Sequence, residues 1–129
     1  MKIPLIILLL CTACQAQSLV QAIEQVESGG DCRAIGDKGR AVGCLQIWEV
    51  CVRDVNRISG KHYAYKDRYS REKSYEMFKI YTDHYASKKR LGRKPTNQDR
   101  ARVWNGGPNG YKKKSTIKYW NKVRKELSK

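Results

Sequence analysis

Two adjacent glycines, Gly29 and Gly30, end a short amphipathic segment and limit what can be built around it. Ser18 and Gln21 stand at capping-box spacing where the segment begins. Leu19, Ala22, Ile23 and Val26 fall on one stripe at helical period. The segment therefore reads as a helix that buries one side and stops after Ser28. Glu24 and Glu27 lie three residues apart on the border of that stripe. Glu27 is thereby delivered to the C-terminal end of the helix, half inside a core. Burial and the negative end of the helix dipole both disfavour its ionised form. A carboxyl tuned in this way can act as a general acid near neutral pH. The plainer alternative is a solvated glutamate beside a cap.

Farther along, Asp37-Lys38-Gly39 is a turn signal between Ala34-Ile35 and Ala41-Val42, which predicts a small hairpin or an ordered loop. Gly43-Cys44-Leu45-Gln46-Ile47 leads into a second helix with apolar positions at Val50, Val52, Val55 and Ile58, closed by Ser59-Gly60. Residues 61–69 are polar and aromatic and read as a loop. Ser70 can cap the longest helix, which reaches about Lys88 and buries Met77, Phe78, Tyr81 and Tyr85. A basic connector ends at Pro95. Thr96 and Asp99 open a short helix through Ala101, Val103 and Trp104, and Asn105-Gly106-Gly107-Pro108-Asn109-Gly110 stops it. A last helix runs from about Ser115 to Leu127 on Ile117, Trp120, Val123 and Leu127. The fold class is mainly α (α+β), a small helical domain with room for one short β-hairpin. A chain of 129 residues is one domain with one modest core.

The first residues speak to compartment. Met1-Lys2 is a basic start, Ile3 to Leu10 an apolar run, and Thr12 to Ala16 a small-residue exit. This is the layout of a secretory signal peptide over residues 1–16, leaving a domain over 17–129. A lipoprotein cut before Cys14 is the alternative, and membrane attachment is expected only in that case. Either cut leaves Cys32, Cys44 and Cys51 in the folded part. In an oxidising compartment two of these can pair, and sequence does not say which. There are two histidines, His62 and His84, and no C-x-x-C among the three remaining cysteines, so no metal site is expected. Nothing gives Cys-His catalysis a local signature. The formal net charge of +15 favours an anionic partner: nucleic acid, an acidic membrane or an acidic wall polymer. Export argues against intracellular nucleic acid.

Other candidates are ambiguous one at a time. Gln46, between Leu45 and Ile47, can bond the backbone in a core or present donor and acceptor to a sugar. Asn105-Gly106-Gly107-Pro108 is either plain turn chemistry or a place where a ligand approaches the backbone while Asn105 orients it. Tyr119, four residues before Val123, suits a core as well as a site. Asp31, Asp37 and Glu49 are the candidates for a second carboxylate, which many glycosidases need at a defined separation from the first.

Taken in order, the pieces are more specific: Glu27-Ser28-Gly29-Gly30, then Gly43-Cys44-Leu45-Gln46-Ile47, then Trp104-Asn105-Gly106-Gly107-Pro108, then Tyr119. This series resembles the soluble lytic transglycosylase family of the lysozyme-like superfamily, over about Leu19 to Leu127. The resemblance implies a lysozyme-like fold with Glu27 as catalytic acid and Ser28 supporting it. It places Gln46, Asn105, Gly106, Gly107 and Tyr119 at the substrate. It further implies an exported, periplasmic or secreted monomer that acts on peptidoglycan glycan strands without a cofactor, cutting the β-1,4 bond between N-acetylmuramic acid and N-acetylglucosamine. Cys44 replaces an aliphatic residue, Leu45 stands where Met is common, Gly106 replaces Ala, and Trp104 stands where Tyr is usual. A muramidase and a non-catalytic wall-binding protein are the alternatives.

Overall fold

A computed structural model describes residues 16–129. The leader reading, Cys14 included, lies outside the described residues apart from Ala16. The described chain is mainly helical with one short hairpin, as expected. Helix α1 spans Leu19–Ser28, α2 Glu49–Ser59, α3 Arg71–Tyr85, α4 Lys88–Leu91, α5 Asn97–Gly106 and α6 Ile117–Leu127. Strands β1 (Ile35–Gly36) and β2 (Ala41–Val42) pair antiparallel, with Ile35 opposite Val42. Among the described residues no helix is long and apolar enough to cross a membrane.

The start and stop of α1 follow the local chemistry of its ends. The Ser18 hydroxyl accepts from the Gln21 N–H, and the Gln21 side chain accepts from the Ser18 N–H. Gly29 closes the helix at φ +64°, a left-handed conformation that costs glycine little. Helix α5 is capped in the same way. The Thr96 hydroxyl accepts from the Asp99 N–H, and the Asp99 carboxylate accepts from the Thr96 N–H. Arg93 grips that buried carboxylate with two donors and, with the Thr96 bonds, holds its pKa at about 2.

Several boundaries and faces differ from the sequence reading. Helix α3 ends at Tyr85, because Ala86 leaves helical geometry and the Ser87 hydroxyl caps a new helix by accepting from the Arg90 N–H. The basic connector is therefore partly helical. Helix α5 continues to Gly106, so Asn105 rides its last turn and Gly107, at φ +85°, ends it. Val50 and Ile117 lie exposed, although both match the apolar period of their helices. Residues Tyr65–Tyr69 form a 3-10 turn instead of an open loop.

The core is built on Ile23, Leu45, Ile47, Val52, Val55, Met77, Val103 and Val123, all fully buried. Helix α1 packs on α6, α2 on α3, and α5 on both α3 and α6. Phe78 and Tyr81 meet the Trp104 ring edge-on at 5.1 and 5.6 Å between centroids. Of the three remaining cysteines, Cys32 and Cys44 are disulfide-bonded and Cys51 is free. The bond ties the segment after α1 to the segment after β2.

The 3-10 turn is held by Arg68, a buried cation. Its guanidinium donates to the carbonyls of Tyr65 and Ile47 at 2.8 and 3.0 Å. The backbone of the same residue lies against Gly43. A Cβ on Gly43 would sit 1.7 Å from the Arg68 carbonyl oxygen, and Gly43 also holds φ +85°. Gly43→Ala therefore meets both a backbone clash and left-handed strain. Urea unfolding of this variant should show a loss of about 3 kcal/mol or more.

Candidate active site

A cleft of about 430 Å³ opens between the end of α1, the hairpin, the start of α2, α3 and the end of α5. Its walls include Glu27, Asp37, Gln46, Trp48, Val50, Tyr81, Trp104 and Asn105. Of the residues that the resemblance places at the chemistry or the substrate, Glu27, Gln46 and Asn105 meet there. Ser28, Gly106, Gly107 and Tyr119 do not line it.

Glu27 and Glu24 leave α1 toward different surroundings. Glu24 accepts from Arg71 Nε at 2.7 Å and from the Tyr75 hydroxyl at 3.1 Å. Among the described residues Glu27 has no such ion pair. Burial raises its carboxyl from an ordinary 4.5 to a net value of about 7, against the opposing pull of the Tyr119 hydroxyl and the Lys122 ammonium. The carboxyl can therefore keep its proton in the cleft wall close to neutral pH. Tyr119 lies behind this carboxyl in α6. Its buried hydroxyl faces Glu27 without closing a well-formed hydrogen bond. Burial and the carboxylate charge raise the tyrosine well above its ordinary 10, so the hydroxyl keeps its proton.

Ser28 works on the backbone. Its hydroxyl donates to the Cys44 carbonyl at 2.8 Å and accepts from the Gly30 N–H. That contact, with the disulfide, joins the end of α1 to the Gly43–Ile47 segment. Gln46 bonds the backbone, the first of the two readings its neighbours allowed, and it also lines the cleft. Its amide nitrogen donates to the carbonyls of Ala34 and Gly43, each at 3.0 Å. Its amide oxygen lies over Gly36, where a Cβ would come within 2.5 Å of it. The Gln46 backbone holds φ +51°, an uncommon conformation for a residue with a side chain. Gln46 therefore fixes the hairpin to the following segment and forms part of the cleft wall.

Asn105 is exposed on the cleft rim. Gly106 faces the other way, where a Cβ would meet the Thr116 methyl at 2.4 Å, so this position is fitted to glycine and not merely tolerant of it. The Gly106 carbonyl accepts from Lys113 Nζ at 2.8 Å.

Of the three candidates for a second carboxylate, Asp37 alone reaches the cleft. It sits in the hairpin turn, half exposed and ion-paired with Arg40 at 3.0 Å. Asp31 caps the Arg33 N–H, and Glu49 lies 3.9 Å from Arg68. Cys51 also borders the cleft, but burial and nearby Asp54 push its thiol up to about 12. A protonated thiol is a poor nucleophile, and His62 and His84 are both exposed.

Sequence reasoning missed Trp48, Val50 and Tyr81 as cleft residues. Trp48 is exposed and carries the Arg40 guanidinium 4.8 Å over its ring. Tyr81 matched the apolar period of α3, and its ring is indeed largely buried. Periodicity does not distinguish an aromatic that closes a core from one that floors a groove.

No protein-family model matches this chain, and no curated protein matches it.

The raised pKa of Glu27 has a consequence for stability. The unfolded carboxyl ionises near 4.5, while the folded one keeps its proton up to about 7. Below 4.5 both states are protonated and burial carries no ionic penalty. Stability then falls as pH rises from 4.5 to about 7, by about 3 kcal/mol in all. Glu27→Gln removes this dependence. Thermal unfolding at pH 8 should find the variant more stable than wild type, with the difference vanishing at pH 4.

Proposed function

We propose that this chain is an exported lytic transglycosylase that cleaves the β-1,4 bond between N-acetylmuramic acid and N-acetylglucosamine in peptidoglycan. The observation that carries the reading is Glu27: one carboxyl, protonated near neutrality, in the wall of a cleft bordered by tryptophan, tyrosine, glutamine and asparagine. Such a wall suits a sugar chain, since aromatic rings and neutral amides can offer stacking faces and hydrogen bonds. The Cys32–Cys44 disulfide supports export to an oxidising compartment.

In this reading Glu27 gives its proton to the glycosidic oxygen as the bond from that oxygen to the muramyl C1 breaks. Positive charge develops at C1, in an oxocarbenium-like state. The C6 hydroxyl oxygen of the same sugar then bonds to C1, and its proton passes to the Glu27 carboxylate. The product is a 1,6-anhydro ring, and the carboxyl ends as it began. The cycle needs one group that is acid and then base, which a pKa of about 7 suits. In this reading the Tyr119 hydroxyl, which faces Glu27, donates to the carboxylate between the two steps. Ser28 supports Glu27 through the backbone, by holding the end of α1 against Cys44.

A hydrolytic route, with water in place of the C6 hydroxyl, has one observation in its favour: Asp37 borders the same cleft. Its ion pair with Arg40 and its position in the exposed hairpin turn favour it less than the single-carboxyl route.

Mass spectrometry of digested peptidoglycan separates these readings. Wild-type protein should release fragments ending in 1,6-anhydro-muramic acid, and Glu27→Gln should release at least about 10³-fold less. Reducing ends one water heavier would establish the hydrolase. Full activity in the variant would refute the assignment of Glu27.

A further inference from the structure

Helix α6 turns Trp120, Val123 and Leu127 to the core. On its outer side Lys118, Asn121, Lys122, Arg124, Lys125 and Ser128 wall a hollow of about 710 Å³. None of these residues borders the Glu27 cleft, so the two surfaces are separate. Lys118, Lys122 and Lys125 stand at helical spacing, which lines them up along about 10 Å of the helix.

Several cations elsewhere in the chain have carboxylate partners: Arg71 pairs with Glu24, Arg93 with Asp99 and Arg57 with Asp54. On α6 the balance is different. After Asp99 the sequence holds a single acidic side chain, Glu126, and it pairs with Lys129 at 2.8 Å. Lys118, Lys122, Arg124 and Lys125 are all exposed. Among the described residues their side chains make no ion pair and no hydrogen bond. Like charges one helical turn apart repel, and a partner carrying several anions relieves that repulsion.

Ile117 is a second observation on the same side. It matches the apolar period of α6 yet lies 42% exposed. Asn121, Arg124 and Ser128 follow it at helical spacing, so it emerges beside the cations. An aliphatic side chain among unpaired cations suits a surface that is anionic at its boundary and apolar just beneath.

We propose that this side of α6 docks the protein on an anionic phospholipid surface, with the lysines and Arg124 on lipid phosphates and Ile117 in the apolar edge of the headgroup layer. The inference goes beyond the glycan reading and does not depend on it. Lysine stems can lie along the headgroups while their ammonium groups reach the phosphates. A dissolved phosphate polymer would leave Ile117 in water. A nucleic acid would find no aromatic ring in the walls of the hollow for its bases to stack on. The contact needs no covalent lipid, and it uses no residue of the Glu27 cleft.

The test is co-sedimentation with vesicles of equal parts phosphatidylglycerol and phosphatidylcholine, and with vesicles of phosphatidylcholine alone, at about 0.15 M salt. Wild type is compared with Lys118→Gln plus Lys125→Gln, with Ile117→Ser, and with Lys66→Gln plus Lys89→Gln. The last removes the same charge from exposed lysines on other elements. Thermal unfolding checks the fold of each variant. Wild type should bind the anionic vesicles and not the neutral ones. Loss of the two α6 lysines should weaken binding about 30-fold, and Ile117→Ser about fivefold. Loss of Lys66 and Lys89 should cost less than about threefold, because charges held away from the surface are screened. Equal losses from the two lysine pairs would reduce the effect to overall charge and overturn the proposal. Absence of binding to the anionic vesicles, or an Ile117→Ser variant that binds like wild type, would overturn it too. Poly(glycerol phosphate) and oligo(dT) serve as competitors: if either, at equal phosphate concentration, strips the protein from the vesicles, the surface belongs to that polymer and not to a membrane.

Discussion

Keeping the Glu27 carboxyl largely out of water opposes folding at neutral pH, and the surrounding architecture offsets that opposition. A carboxyl with a pKa raised to about 7 persists only where neighbouring structure prevents it from turning out to solvent. The end of α1 is accordingly held from several directions. Ser28 bonds the Cys44 carbonyl, the disulfide joins Cys32 to Cys44, and Val123 and Tyr119 of α6 lie on the side away from solvent. Each contact alone is modest. Together they leave the helix end little freedom to move Glu27 away from the cleft.

The same economy of parts shapes the opposite wall. Gln46 spends its amide donors on Ala34 and Gly43, and Arg68 bridges Ile47 to the 3-10 turn. The hairpin is only two residues on each strand, too small to be stable by its own pairing. Its position comes from these side-chain bonds and from the close approach of Gly43 to Arg68. The cleft floor, by contrast, is set by aromatic packing between α3 and α5, where Phe78 and Tyr81 fix the Trp104 ring. A polar wall and an aromatic floor meet at Glu27.

Much of this was legible in the sequence wherever the signal is local. The capping box at Ser18 and Gln21, the left-handed stop at Gly29, the cap at Thr96 and the turn at Asp37-Lys38-Gly39 depend on neighbours in the chain and fall where expected. What was not legible depends on distant partners. Arg68 sat in a stretch that reads as a polar loop, and nothing nearby announces that a cation will be buried under the Ile47 carbonyl. Val50 fits the apolar period of α2 but points into the groove, because period identifies a side of a helix without saying how far the core extends. Gly106 reads as a mild replacement for alanine until Thr116 is seen beside it. Among the cysteines, pairing followed from the tertiary approach of two loops, which spacing does not encode.

The central claim is that Glu27 holds its proton to near neutrality because it is buried. The most direct test is carbon-13 NMR titration of the glutamate side-chain carboxyls, with the Glu27 signal assigned by its loss in Glu27→Gln. The account predicts a midpoint close to 7. A midpoint near the ordinary 4.5 would contradict it, since an ionised Glu27 would have no proton to give at the pH where the chain is proposed to work.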